Sequence, residues 1–211
     1  MKFLVTIIAL LTSTFCFGQK IKVACVGNSI TYGAGIVNRE KNSYPAQLQV
    51  YLGDKYEVCS FGSNGATTLH KGDYPYVQTE EYKLALAYCP DIVFIKLGTN
   101  DSKPQNICHQ KELEADYRKL VRDFKKLSSK PRIILLLPLR CFLAETAVIK
   151  DKVIREELVP IIKEVARKEK LEYIDLYDLM GNEYQESLMP VRLHPSSIGA
   201  GRIALRLYEY L

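Results

Sequence analysis

The segment IKVACVGNSIT, residues 21–31, joins a mostly apolar run to the small polar residues Gly27, Asn28 and Ser29. An apolar run of this length that ends in turn-forming residues is typical of a buried strand. Enzymes of the α/β class place their catalytic groups in the loops at the carboxyl ends of such strands. Ser29 is therefore a candidate catalytic residue, although small polar residues after a strand are often no more than turn formers.

The same kind of apolar run recurs along the chain and alternates with helical patterns. The runs are Ile21 to Val26, Tyr56 to Ser60, Ile92 to Leu97, Ile133 to Leu137, and Leu171 to Leu176. Apolar residues at helical spacing form one face in each of two intervening segments, namely Leu113, Tyr117, Leu120, Phe124 and Leu127, and then Ile154, Leu158, Ile161 and Val165. This alternation predicts an α/β fold, a three-layer α/β/α sandwich whose five-stranded parallel sheet is covered on both faces, as in flavodoxin-like proteins.

Length and composition indicate one globular domain. The 211 residues include 47% hydrophobic and 25% charged residues, and no linker, repeat or low-complexity tract divides them. The net charge of +5 is distributed over helices that also contain acidic residues, so it does not indicate nucleic-acid binding. The sequence has neither the glycine spacing of nucleotide-binding loops nor the histidine and cysteine spacing of zinc sites. We therefore expect no metal and no cofactor.

The amino terminus has the features of a secretory signal peptide. Lys2 precedes an apolar stretch from Phe3 to Leu11, and Gly18 supplies a small residue for cleavage. We expect a leader of residues 1–18 and a mature domain of residues 19–211. The apolar stretch is too short to span a membrane. The predicted location is therefore secreted or periplasmic, with no membrane span after cleavage.

Three later segments strengthen the interpretation of Ser29. FGSNGAT at residues 61–67 follows the second predicted strand, GTND at residues 98–101 follows the third, and His194-Pro195 precedes a final helical pattern. Because the carboxyl ends of parallel strands meet at one edge of a sheet, we expect the strand-end segments to lie close together. Together with the first segment they resemble the SGNH hydrolases, also called the GDSL-type esterases, over essentially the whole mature chain.

This resemblance implies a serine hydrolase site. It implies that Ser29 is the nucleophile and that His194 is the general base. It also implies an oxyanion hole formed by the backbone N–H groups of Ser29 and Gly62 and by the side chain of Asn100. Acyl transfer needs these functions, because a nucleophile must lose its proton and the developing oxyanion must accept hydrogen bonds. The neighbouring residues Asn28, Thr99, Asp101 and His70 are candidate substrate-binding residues.

Within this family, the chain is most similar to secreted bacterial carbohydrate esterases described as sialate O-acetylesterases. The similarity rests on LGTNDSKPQN at residues 97–106 and KGDYPY at residues 71–76. It implies removal of an acetyl group from an O-acetylated sugar or glycan, either as a small molecule or in a larger glycan, without identifying the sugar.

Two positions depart from the family's pattern. The family normally has an aspartate three residues before the histidine, where it orients the imidazole, and this chain has Val191 there. A tryptophan that commonly follows the Asn106 position is replaced by Ile107. A backbone carbonyl, or a carboxylate from Glu186 or Asp178, could take the aspartate's place. Alternatively, the protein could bind glycans without hydrolysing them.

A lipase or lysophospholipase is a further alternative, because such enzymes use the same catalytic parts. The loops are polar, however, and contain several tyrosines, which suit the faces of sugar rings: Tyr32, Tyr44, Tyr74 and Tyr76. We therefore favour a short acyl group on a carbohydrate.

Five cysteines remain after the predicted leader, so at least one is unpaired within a monomer. Cys108 and Cys141 lie in segments that follow two strands. In an oxidising compartment these two are the expected disulfide pair.

Overall fold

A parallel sheet forms the centre of the molecule in the computed structural model, which describes residues 19–211. Its strands are β1 (Ile21–Gly27), β2 (Tyr56–Gly62), β3 (Ile92–Lys96), β4 (Arg132–Leu136) and β5 (Glu172–Ile174). All five run parallel, in the order β2-β1-β3-β4-β5. The predicted fold class and the five predicted strands are confirmed. The predicted leader lies outside the described residues, so the leader and the location stay predictions.

The helices around the sheet vary in length from three to 13 residues. They are α1 (Ser29–Tyr32), α2 (Arg39–Asn42), α3 (Tyr44–Leu52), α4 (Glu80–Tyr88), α5 (Pro104–Ile107), α6 (Leu113–Lys125), α7 (Asp151–Val153), α8 (Val159–Glu169) and α9 (Ser197–Tyr208). Single turns of 3₁₀ helix occur at Gly53–Lys55, Tyr76–Gln78, Asn100–Ser102 and Gln110–Glu112. Among residues 19–211, no helix is long and apolar enough to cross a membrane.

The strand side chains alternate between two hydrophobic cores, one on each face of the sheet. In β3, Val93 and Ile95 pack into the core that α6 and α8 cover, whereas Phe94 packs into the core that α3 and α9 cover. This alternation follows from the period of two residues in a strand. A strand buried on both faces needs apolar residues on both, which explains the continuous apolar stretches within the central strands β3 and β4.

In the helical segment between α7 and β5, the buried face differs from the apolar face that the sequence predicts. Residues Ile154–Leu158 form a π-helical segment between α7 and α8, in which the N–H of Val159 donates to the carbonyl of Ile154. Pro160 follows directly; it has no N–H to donate, and its ring would clash with a carbonyl one turn earlier in a regular helix. The wider turn shifts the buried face by one residue, so that Ile162 is fully buried and Ile161 only partly.

The register of the strands aligns the loops that contain the candidate residues. Gly27, the last residue of β1, pairs with Gly62 of β2 on one side and with Lys96 of β3 on the other. The segments after these three residues therefore begin at the same edge of the sheet. At Gly62 a β-carbon would lie 2.2 Å from the backbone N of Tyr32, so only glycine allows α1 to pack this closely on β2.

All five cysteines in the described residues are free thiols, so the predicted Cys108–Cys141 disulfide is wrong. Cys141 is buried, and its backbone N–H donates to Asp151. Cys108 is exposed, and its thiol donates to the carbonyl of Gln105 within its own turn. The segments of Cys108 and Cys141 follow the neighbouring strands β3 and β4, so both begin at the same edge of the sheet. Their two thiols nevertheless do not point toward each other.

Candidate active site

Ser29 is the first residue of α1, at the carboxyl end of the strand next to the sheet's edge strand β2. Asn28 caps this short helix, and its side-chain oxygen accepts a hydrogen bond of 3.2 Å from the N–H of Ile30. Gly33 ends the helix in the left-handed conformation, with φ of 85°. The turn and its cap therefore fix the backbone of Ser29 while its hydroxyl remains partly exposed.

His194 reaches the same point from the opposite end of the chain. Its Nε2 lies 2.9 Å from Oγ of Ser29, which is hydrogen-bonding distance. The loop around it is fixed at Ser196, whose N–H donates to the carbonyl of Leu188 and whose hydroxyl caps α9. The structure therefore brings together the two residues to which the sequence assigned the nucleophile and the base.

No carboxylate supports the imidazole. Among residues 19–211, the only side-chain hydrogen bond of His194 is the one to Ser29, so Nδ1 has no acceptor there. Asp178 is engaged by the guanidinium of Arg140, and Glu186 is exposed without contacting the ring. Val191 is 57% exposed. Within the described residues, Ser29 and His194 thus form a hydrogen-bonded pair without a carboxylate, and neither Asp178 nor Glu186 takes the aspartate's place.

The pKa of His194 is lowered from its ordinary value. Partial burial of the ring is the larger cause, because burial disfavours the charged form, and the positive charge of Lys96 is the second. A lowered pKa keeps the imidazole neutral near pH 7, which is the form that can accept a proton from a serine hydroxyl.

Asn100 lies in the turn after β3 and is nearly buried. Its side-chain Nδ2 donates to the carbonyl of Ala66, 3.0 Å away, in the loop after β2. Asn106 supports the same turn, since its Nδ2 donates to the backbone carbonyl of Asn100 at 2.9 Å. An amide nitrogen has a second N–H, so this anchoring leaves Asn100 one donor for an oxyanion.

Comparison with known proteins is consistent with this geometry. The model of the GDSL-like lipase/acylhydrolase family matches residues 25–202, which include both Ser29 and His194. The chain belongs to the GDSL-like lipase/acylhydrolase family. Its resemblance to the GDSL-type esterases is thereby confirmed.

Relatives of this GDSL-like chain include proteins named as acetyl esterases. An acetylxylan esterase from Xylanibacter ruminicola is 42% identical over 201 residues, covering 87% of this chain and 42% of the relative, so the chain spans less than half of that protein. A solved carbohydrate acetylesterase from Sinorhizobium meliloti superposes with a TM-score of 0.72 at 20% identity, over 90% of this chain and 98% of the other. A solved acetyl xylan esterase gives a TM-score of 0.70 at 21% identity, over 90% and 100%. The two solved structures show the shared fold.

Three predicted substrate-binding residues of this GDSL-like protein are buried. Asn28 has no exposed surface, and Thr99 is nearly buried. Asp101 accepts hydrogen bonds of 2.9 Å from the backbone N–H groups of Thr68 and Leu69. Burial raises the pKa of Asp101 to about 6 despite these donors. The buried carboxylate of Asp101 therefore joins the loops after β2 and β3, and the role of these residues in substrate binding stays a prediction.

His70 and the tyrosines that were expected to face a sugar differ in how exposed they are. His70 is partly exposed, and its ring lies 3.4 Å from Asp116, while its backbone N–H donates to the same carboxylate. Tyr44 and Tyr76 are fully buried. The interpretation of these two rings as sugar-facing is therefore wrong, and they pack in the two cores. Tyr74 remains exposed.

A cavity of about 580 Å³ lies beside the segment between β4 and α7. It is lined by Ile107 and by residues 141–155, several of which are charged: Glu145, Lys150, Asp151, Lys152 and Arg155. The lining segment contacts the loop of Asn100 through a 3.1 Å hydrogen bond from the N–H of Lys150 to Ser102. It contacts the loop of His194 through a 2.8 Å bond from the N–H of Phe142 to the carbonyl of Arg192.

Sequence reasoning missed Lys96 and Asn106. Lys96 ends β3 and is fully buried, and a single lysine inside the run IVFIKL was the available signal. Asn106 appeared only as part of a longer similarity, and no local pattern indicated that its side chain joins the turn of Asn100 to Asp73. Within the described residues, no group of three or more histidine, cysteine or acidic side chains is placed to hold a metal ion.

Proposed function

We propose that this chain is a serine esterase that removes acetyl groups from a carbohydrate through an acyl-enzyme intermediate. The observation that supports it most strongly is the 2.9 Å contact between Oγ of Ser29 and Nε2 of His194 at the carboxyl edge of the sheet. The similarity to an acetylxylan esterase supports the choice of acetyl esters.

In the proposed reaction, Ser29 attacks the ester carbonyl while His194 takes the hydroxyl proton. The carbonyl oxygen becomes an oxyanion, and the N–H groups of Ser29 and Gly62 and the amide of Asn100 donate hydrogen bonds to it. The imidazolium then returns the proton to the departing sugar oxygen, which leaves acetyl-Ser29. A water molecule, deprotonated by His194, attacks this ester, and the imidazolium returns the proton to Oγ of Ser29 as acetate is released.

The proposed leaving group is a sugar within a larger glycan. The cavity lined by Ile107 and residues 141–155, at about 580 Å³, is large enough for sugar units, and its lining segment is hydrogen-bonded to the loops of Asn100 and His194. Its charged lining suits hydroxyl-rich ligands better than an acyl chain, which disfavours the lipase alternative. Acetylated xylan is the first substrate to test, because of the name of the relative, and O-acetyl sialic acid is the second.

Hydrolysis of a series of p-nitrophenyl esters tests this proposal. We expect kcat/KM to fall as the acyl chain lengthens beyond acetate. Release of acetate from acetylated xylo-oligosaccharides and from O-acetyl sialic acid then separates the two substrates. A preference for long acyl chains would contradict the proposal in favour of a lipase.

A glycan-binding homologue without esterase activity is the second candidate. It is favoured by one observation, the missing acceptor for Nδ1 of His194. Binding of acetylated xylo-oligosaccharides in calorimetry, with no release of acetate over a long incubation, would establish this alternative.

We predict that Val191→Asp increases kcat/KM about tenfold. A carboxylate three residues before His194 would accept a hydrogen bond from the ring and stabilise the imidazolium. Val191 is 57% exposed, so the new charge needs little desolvation. The gain is far smaller than the roughly ten-thousandfold effect of an aspartate in an adapted triad, since the loop here has evolved without one.

The control for that variant is Val191→Asn, which has nearly the same shape and no charge. Esterase rates of both variants are measured against the wild type. An equal increase in both, or none in Val191→Asp, would show that a carboxylate at this position does not reach the imidazole.

We predict that Asn100→Ala lowers kcat about a hundredfold or more, as removal of one oxyanion donor usually does. The substitution also removes the hydrogen bond to Ala66, which joins the loops after β2 and β3. Thermal unfolding separates the two effects, because Asn106→Ala disturbs the same turn without removing the amide of Asn100. A change confined to KM would assign Asn100 to ground-state binding.

A further inference from the structure

Lys96 is a buried amine without a partner. It is the last residue of β3, it has 0% exposed surface, and its Nζ has no hydrogen-bond partner within residues 19–211. A charged ammonium group without a counterion is strongly destabilised in a protein interior. Burial alone lowers the pKa of Lys96 to about 7. A chain that retains such a group at the edge of its catalytic site calls for an explanation beyond folding.

Strand alternation places Lys96 on the face of the sheet that α3 and α9 cover. Phe94, two residues earlier on the same face, packs in one core with Ala200 and Ile203 of α9. His194 lies just before α9, at the carboxyl edge of the sheet. Lys96 pairs in register with Gly27, which lies two residues before Ser29, and Oγ of Ser29 is 2.9 Å from Nε2 of His194.

The other titratable groups on this face do not neutralise the lysine. Cys25 of β1 and Tyr44 of α3 are fully buried, and burial raises the pKa of both, so both are uncharged at neutral pH. The neighbouring strand β4 contributes Ile134 and Leu136, and the buried residues of α9 are all apolar or glycine.

The nearby carboxylates on other elements are occupied elsewhere. Asp101 accepts hydrogen bonds from the backbone of Thr68 and Leu69. Asp178 pairs with Arg140. The charge of Lys96 therefore acts on His194 without compensation, and this interaction is the one electrostatic contribution to the histidine besides burial.

We propose that Lys96 is a positioning residue for catalysis, whose charge keeps His194 in its neutral, proton-accepting form in weakly acidic solution. The proposal rests on the proposed esterase function. A triad aspartate stabilises the imidazolium, whereas Lys96 disfavours it. This chain therefore has valine where the family has the aspartate, and it has a buried lysine whose positive charge acts on His194.

The consequence for pH dependence follows from the sign of the interaction. Lys96 acquires its proton as the pH falls through about 7, which is the range in which an ordinary histidine, with a pKa of about 6.5, would begin to be protonated. The new charge lowers the pKa of His194, so the imidazole stays neutral down to a lower pH. Removing the charge raises the pKa of His194 and moves the acidic limb of kcat/KM to higher pH.

The test uses Lys96→Met, which has a similar volume and no charge. The pKa of His194 is measured by NMR titration of histidine-labelled protein, with the signal assigned through His194→Gln, and the acidic limb of kcat/KM is measured in parallel. We expect both to rise by about half a pH unit or more. Lys22→Met is the matched control, since it removes one positive charge at the opposite end of the neighbouring strand β1, and we expect no change.

Several outcomes would overturn this proposal. An unchanged histidine titration and an unchanged acidic limb in folded Lys96→Met would do so. Lys96→Gln is the second neutral variant if Lys96→Met does not fold. A wild-type His194 that titrates at or above about 6.5 would overturn it without any variant. The NMR titration needs no esterase activity, so an inactive wild type would refute the proposed function and still leave Lys96 testable.

Discussion

Ser29→Ala is expected to reduce acetyl ester hydrolysis by at least about a thousandfold while leaving the fold intact. Within residues 19–211, the hydroxyl of Ser29 has no hydrogen-bond partner other than His194, and the helix cap at this turn comes from Asn28. Removing the oxygen therefore removes the nucleophile and little packing. Turnover of p-nitrophenyl acetate and thermal unfolding are the two measurements.

The size of that loss is informative. In a serine protease with a full triad, removing the serine costs about 2 × 10⁶ in kcat and removing the aspartate alone about 3 × 10⁴. If the Ser-His pair were only a triad that had lost its aspartate, most of the catalytic effect would already be gone. Ser29→Ala would then lower kcat by only about a hundredfold. A loss of a thousandfold or more would show that the site has adapted to work without a carboxylate. Unchanged turnover would exclude Ser29 as the nucleophile.

His194→Gln is expected to have an effect nearly as large as Ser29→Ala. Glutamine can occupy part of the imidazole's space but cannot accept and return a proton near neutral pH. The nucleophile and the base act as one unit, so the double variant should be little worse than either single one. Rates of the two single variants and the double variant give this comparison.

Additive losses in that comparison would contradict the dyad. They would mean that the contact between Ser29 and His194 is structural and that another group removes the serine's proton. His109→Gln is the matched control, because His109 lies on a surface turn beside Glu112, and we expect no effect on turnover.

Much of this fold was predictable because its signals are local. Strands β3 and β4 contain continuous apolar stretches, and the face of α6 that includes Tyr117 and Phe124 repeats at helical spacing. The approach of Ser29 and His194 was predictable only through resemblance, since no local pattern joins residues so far apart in the chain. Parallel topology then accounts for the edge at which the strand-end loops meet.

The predictions that differ from the structure concern the directions in which individual side chains point. Asp101 follows a strand like Asn100, yet it points into the protein and binds two backbone N–H groups. Tyr44 begins α3 and Tyr76 begins a single 3₁₀ turn, and both rings are buried in the cores. The shifted face of α8 arises from Pro160, whose effect on a preceding turn is not visible in apolar spacing.

The most direct test of the account is to locate the acetyl group during turnover. The enzyme is mixed with excess p-nitrophenyl acetate, quenched in acid within the first turnovers, digested and analysed by mass spectrometry. The account predicts one acetyl group on Ser29 in the wild type and none at that peptide in Ser29→Ala. Continued acetate release by Ser29→Ala at the wild-type rate, with Ser29 unmodified in the wild type, would contradict it.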